Sequence, residues 1–161
     1  NQKMGKEILE KAKEAAKGAV TGVTEQIISF KDNYLGDEQN EINEDFKEAG
    51  SGKIKEIMES INDSISLISS SGYEFKGIGV ALGLTPSITL SFHYIKEISE
   101  EERKSILEQA ENKKTIKIIL KMLFKAGDFY RSIKLGDYVL DAVNMSLGLS
   151  LGMSLTFKKT S

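Results

Sequence analysis

Between residues 145 and 157 the chain reads MSLGLSLGMSLTF, and its apolar and small positions alternate without a break. Met145, Leu147, Leu149, Leu151, Met153, Leu155 and Phe157 share one parity. Ser146, Gly148, Ser150, Gly152, Ser154 and Thr156 share the other. A period of two marks extended backbone, whose successive side chains leave opposite faces. One face is therefore greasy, and the other carries no charge and nothing larger than threonine. The same parity runs earlier through Ile78, Val80, Leu82 and Leu84, and on through Ile88, Leu90 and Phe92.

Elsewhere the period changes to the 3.6 residues of an amphipathic helix. Over residues 6–30, Ile8, Leu9, Ala12, Ala15, Ala16, Ala19, Val20, Val23, Ile27 and Phe30 recur at spacings of three and four. Ile54, Ile57, Met58, Ile61, Ile65 and Ile68 predict a second helix from residue 53, stopped by the serines before Gly72. Ser99, with Glu102 three positions on, has the spacing of a capping box and opens a third helix. A fourth covers residues 115–133, its apolar side built from Ile116, Ile119, Leu120, Leu123 and Ile133 and widened by Ile118, Met122 and Phe124. Residues 32–52 are acidic and poor in apolar anchors, which predicts a linker with at most a short helix from Asp37.

A shift of 65 residues superimposes the two alternating stretches. Tyr73 falls on Tyr138, Leu82-Gly83-Leu84 on Leu147-Gly148-Leu149, Leu90 on Leu155 and Phe92 on Phe157, six identities across positions 73–92. Ile54, Ile57, Met58, Ile65 and Ile68 fall on Ile119, Met122, Leu123, Tyr130 and Ile133. We read two units of helix plus β-hairpin, packed with pseudo-twofold symmetry. A three-residue loop at Ser150-Leu151-Gly152 would preserve the parity, with Gly152 as its left-handed residue. Pro86, which cannot donate to a ladder, marks the other turn. A single bent strand in each unit is the alternative.

The expected fold class is thus α+β: an antiparallel sheet from two repeated hairpin units packed against helices, with an added N-terminal helix. One domain of residues 1–161 divides into an amphipathic helix over 1–31, the acidic linker over 32–52, a first unit over 53–95, a connecting helix over 99–112 and a second unit over 115–158. The chain is long enough to bury a core of its own. With 22 basic and 24 acidic residues, its formal charge of -2 gives no global attraction to nucleic acid or to an anionic membrane. Cysteine is absent, which removes disulfides and thiol chemistry. With no apolar leader either, the sequence leans towards the cytoplasm and leaves secretion open.

Catalytic constellations are missing from the pattern. An EF-hand loop started at Asp32 would put Tyr34 at its third position and Asp37 where glycine is required. Gly52-Lys53 is followed by Ile54, so no phosphate loop forms. His93, the single histidine, lies at a strand end and reads as a surface residue. No cofactor, metal site or enzymatic activity is expected.

Two surfaces remain. Lys113, Lys114, Lys117, Lys121 and Lys125 line one side of the fourth helix, a candidate contact for an anionic surface. Ser146, Gly148, Ser150, Gly152, Ser154 and Thr156 form a candidate packing or interface face. The reading is a non-catalytic interaction or assembly domain, with a homo-oligomer as a possible partner. A small lipid or amphiphile carrier is the alternative, and a membrane-inserting hairpin protein ranks below it. Nucleic acid is disfavoured, and no run is apolar enough for a transmembrane helix.

Overall fold

The computed structural model describes residues 25–31, 51–84, 86–133, 136–148 and 152–160, the first stretch as backbone path. In chain order the elements are β1 (Glu25–Lys31), α1 (Ser51–Asp63), α2 (Ile65–Ser70), β2 (Tyr73–Ala81), β3 (Ser87–Tyr94), α3 (Glu100–Gln109), α4 (Lys114–Ser132), β4 (Tyr138–Leu147) and β5 (Gly152–Lys159). The strands make one sheet in the order β1-β5-β4-β3-β2, with every neighbouring pair antiparallel. The fold is α+β, as the change of period along the chain requires.

Each alternating stretch is a hairpin. Ala81 pairs with Ser87 and Ser146 with Gly152, so five residues separate the last pairs in both. An odd spacing preserves parity, but the loop is longer than three, and Gly152 opens β5 rather than ending a turn. Both hairpins also carry an irregularity at the same place. The register slips between Phe75 and Gly77 in the first and between Leu140 and Ala142 in the second. Lys76 and Asp141 are the extra residues. A shift of 65 carries each pair of the β2–β3 register onto a pair of the β4–β5 register. The outer partners correspond too: Leu90 faces Met145, and its counterpart Leu155 faces Ile28.

The sheet order excludes pseudo-twofold packing. The 65-residue shift relates β2 to β4 and β3 to β5, and in this order it moves along the sheet by two strands. Residues 25–31 also depart from expectation: they are a strand, where a helix over 1–31 was expected. Ile27, Ile28 and Phe30 suit a strand as well as a helix face, and pairing along the outer edge of β5 decides between them. The remainder of that helix, and the acidic linker up to residue 50, lie outside the described residues.

The core lies between one face of the sheet and the helices. Ile88, Leu90 and Phe92 of β3, Leu140, Val143, Met145 and Leu147 of β4, and Met153, Leu155 and Phe157 of β5 join Ile57, Ile61, Ile68, Ile116, Ile119 and Leu123 in one buried cluster. Rings step across the core near the C-terminal end of α4: Tyr73 to Tyr94 at 5.5 Å, Tyr94 to Tyr130 at 5.7 Å, and Tyr130 to Phe157 at 5.9 Å. These edge-on and tilted contacts link β2, β3, α4 and β5.

Helix boundaries follow local chemistry. Ser99 accepts from the Glu102 amide and Glu102 reaches back to the Ser99 amide, so the capping box forms as spaced. The helix expected from residue 53 is broken at Ser64. That residue is buried, its amide donates to Ile61 at 3.0 Å, and its hydroxyl receives the Lys113 ammonium at 3.3 Å.

Tyr73 anchors β2 to α4, its buried hydroxyl donating to the Leu123 carbonyl at 2.9 Å. Burial, with the neighbouring Tyr94 second, pushes the Tyr73 phenol well above its ordinary value of 10.0. The folded chain then keeps a proton that the unfolded chain loses, so this contribution is full below pH 10 and declines as pH rises further. Tyr73→Phe is expected to cost about 1 kcal/mol near neutrality and to flatten the alkaline decline. Urea unfolding of both proteins on either side of pH 10 checks this. Equal alkaline slopes would contradict it.

Candidate functional site

The face of the sheet turned away from the helices is built from cross-strand rows of small residues. Gly79, Thr89, Ser146 and Gly152 make one row, and Gly77, Ser91, Asn144 and Ser154 the next. Thr89 and Ser146 are exposed, Ser91, Asn144, Gly152 and Ser154 are half-buried, and Thr156 is buried. Ser91 donates its hydroxyl proton to Asn144 Oδ1 at 2.8 Å. Ser150 lies outside the described residues. Gly148 has a separate reason to be glycine: a Cβ there would stand 3.1 Å from the Pro86 carbonyl and 3.2 Å from Ser87 Cβ. The second hairpin's loop passes against the first at that point.

Over β2 to β5 the charged side chains of this face stand at its other end, beside the two bulges. Asp141 stands 3.5 Å from His93 Nδ1 and 3.3 Å from Lys158 Nζ, while Lys76 reaches Glu74 at 3.4 Å. A bulge places consecutive residues where one would stand and re-aims a side chain. In the first strand of each hairpin the charged residue falls at that position. The signal was present in the sequence. Apolar parity is odd at Tyr73 and Phe75 and even from Ile78, even at Leu140 and odd from Val143. A switch of parity inside one strand is what an inserted residue produces.

His93 therefore sits among carboxylate and ammonium groups on an open sheet surface. The Ser91 hydroxyl, on the same strand, is engaged with Asn144. Among the described residues no group of three or more His, Asp or Glu side chains is placed to hold a metal ion. What this face offers is hydrogen-bonding groups of short reach, over an area where another layer can approach closely.

The lysines of the fourth helix divide. Lys117, Lys121 and Lys125 line an open groove of about 710 Å³ between α3 and α4, with Arg103 and Lys104 opposite and Leu107 and Phe124 as its apolar part. Glu100, Glu108, Glu111 and Asp128 share that groove, so its five cations stand among four carboxylates. Lys117 pairs with Glu111 at 2.8 Å, and that hydrogen bond, with the ammonium charge, holds the Glu111 carboxyl below its ordinary range. Arg103 lies 5.0 Å over the Phe124 ring and bonds Asp128 at 2.6 Å. Lys113 turns to Ser64 instead, and Lys114, like Lys121 and Lys125, has a polar or charged neighbour of its own. Asp128 also pairs with Arg131 three residues on, as the sequence spacing suggests.

Among the described residues no helix is long and apolar enough to cross a membrane. Comparison with family models, with curated proteins and with solved structures finds no match to this chain.

Proposed function

We propose that this chain is a non-catalytic interaction and assembly domain whose working surface is the small-residue face of its sheet. The observation that carries the reading is the contrast between the two faces. One is filled by helices, and over β2 to β5 the other is mostly glycine, serine, threonine and asparagine, with the charges of those strands held at one end. A sheet face without long side chains has little to keep a second layer away. The same reading takes the sheet as the product of a repeated helix-and-hairpin unit, supported by the shared register and shared bulge, with β1 standing where the first strand of a further unit would stand.

Amphiphile binding is the second reading. The groove between α3 and α4, with Leu107 and Phe124 flanked by lysines, is the observation in its favour. Its near balance of charges gives little selectivity for an anionic headgroup, and the leucine face of the sheet is already occupied by helix side chains. Packing is therefore the stronger reading.

The absence of cysteine supplies a clean test. Ser146→Cys places a single thiol on the exposed part of the face, and Glu101→Cys supplies an exposed control on α3. Protection of the first thiol from a maleimide, tenfold or more relative to the control, is the expected result. Protection that grows with protein concentration identifies a second subunit as the cover, and concentration-independent protection identifies the chain itself. Equal labelling of both thiols at every concentration would sink the reading.

A further inference from the structure

We infer that the free edge of β2 is a second, separate interface, at which the sheet continues into β2 of another copy of this chain across a twofold axis. Equivalent positions of the two hairpins differ in exposure. Val80 is 42% and Leu82 72% exposed, whereas their counterparts under the 65-residue shift, Met145 and Leu147, are both at 0%. Leu84, at the tip of the same hairpin, is fully exposed. The hydrophobic pattern of the two hairpins is alike; what differs is the position in the sheet. β4 is internal, and β2 ends the strand order.

The edge that β2 leaves open has a filled equivalent in the same sheet. The outer side of β4, with the same register to its hairpin partner and the same bulge, is occupied by β3, and β5 lies between β4 and β1. A strand on β2 would thus take the place that β3 takes on β4. Among the described residues nothing pairs with that edge. Lys76 and the bulge guard one half of it, as edge strands commonly require. The half from Gly77 to Ala81 has neither charge nor proline.

Strand direction selects the partner. Because every neighbouring pair is antiparallel, β1, β4 and β2 all run the same way. Joining β2 to β1 of a second copy, with the helices kept on one side, would create a parallel pair in an otherwise antiparallel sheet. Joining β2 to β2 across a twofold normal to the sheet keeps the pairing antiparallel and closes the assembly as a dimer. Pairing centred on Gly79 sets Val80 opposite Ile78 of the second copy, which covers an exposed valine with a half-buried isoleucine on the core side.

Light scattering coupled to size exclusion, on the full chain over a wide concentration range, tests this directly. The expected result is a particle of twice the chain mass that falls to the single-chain mass in Val80→Lys and in Leu82→Lys, with the thermal midpoint of folding retained. Both positions are exposed, so the loss of one variant to misfolding leaves the other to decide. A wild-type chain that stays at single mass throughout would overturn the inference, as would a dimer indifferent to both lysines. Thiol labelling at Ser146 reports the opposite feature of the molecule, so failure at either surface is distinguishable from failure at the other.

Discussion

Gly72→Ala is expected to destabilise the chain by about 3–5 kcal/mol, the largest effect of any single methyl addition. Gly72 follows α2 with φ of +91°, a backbone conformation that costs a side-chain-bearing residue about 1–2 kcal/mol by itself. The remainder comes from collision. A Cβ at this position would lie 2.2 Å from the Lys96 carbonyl oxygen. That oxygen cannot swing aside like the end of a flexible side chain, because the surrounding backbone is fixed. The Gly72 carbonyl receives the Ile95 amide at 2.8 Å and the Lys96 amide at 3.2 Å. Relief of the clash therefore means loosening the point where the chain enters β2 and leaves β3. Equilibrium urea unfolding measures the effect, and a loss under about 1 kcal/mol would show that this junction yields more readily than its bonding implies.

Leu147→Ala and Leu82→Ala form the second prediction, and its content is their difference. The two leucines are equivalent under the 65-residue shift and open the same Leu-Gly-Leu sequence. Leu147 is fully buried, paired beside Ile88, and its truncation is expected to cost roughly 2–5 kcal/mol through lost transfer energy and the cavity left behind. Leu82 is mostly exposed, and its truncation is expected to change stability by less than about 0.5 kcal/mol. Measured at a concentration where the chain is monomeric, the contrast isolates position in the sheet from sequence. Similar losses at both sites would mean that the first hairpin's tip is covered within the monomer.

That contrast also shows how far the sequence could be read. Helix faces, both hairpins, the Ser99 cap and the Asp128–Arg131 pair were legible because each depends on residues close in the chain. Residues 25–31 were not. Ile27 and Phe30 continue the spacing of Val20 and Val23, and seven residues are too few for one period to exclude the other. What settles the matter is β5, more than a hundred residues away. The exposure of Val80 and Leu82 was equally hidden, since nothing in a local pattern tells an edge strand from an inner one. The parity switches at Lys76 and Asp141 could have been read and would have given both bulges. On α4 the spacing of Lys117, Lys121 and Lys125 was plain. That α3 and the turn after it would set Glu108 and Glu111 among them was not, because it depends on how two helices pack.

The pairing of β1 with β5 has a consequence for synthesis. The hairpins β2–β3 and β4–β5 can each close as soon as they are made, since their strands are adjacent in sequence. β1 precedes both, and among the described residues its partner is β5, which is complete only once Gly152–Lys159 has left the ribosome. Throughout elongation a segment with Ile27, Ile28 and Phe30 is an unpaired strand, the kind of species most prone to wrong association. Among the described strands, the first to be made has to wait for the last.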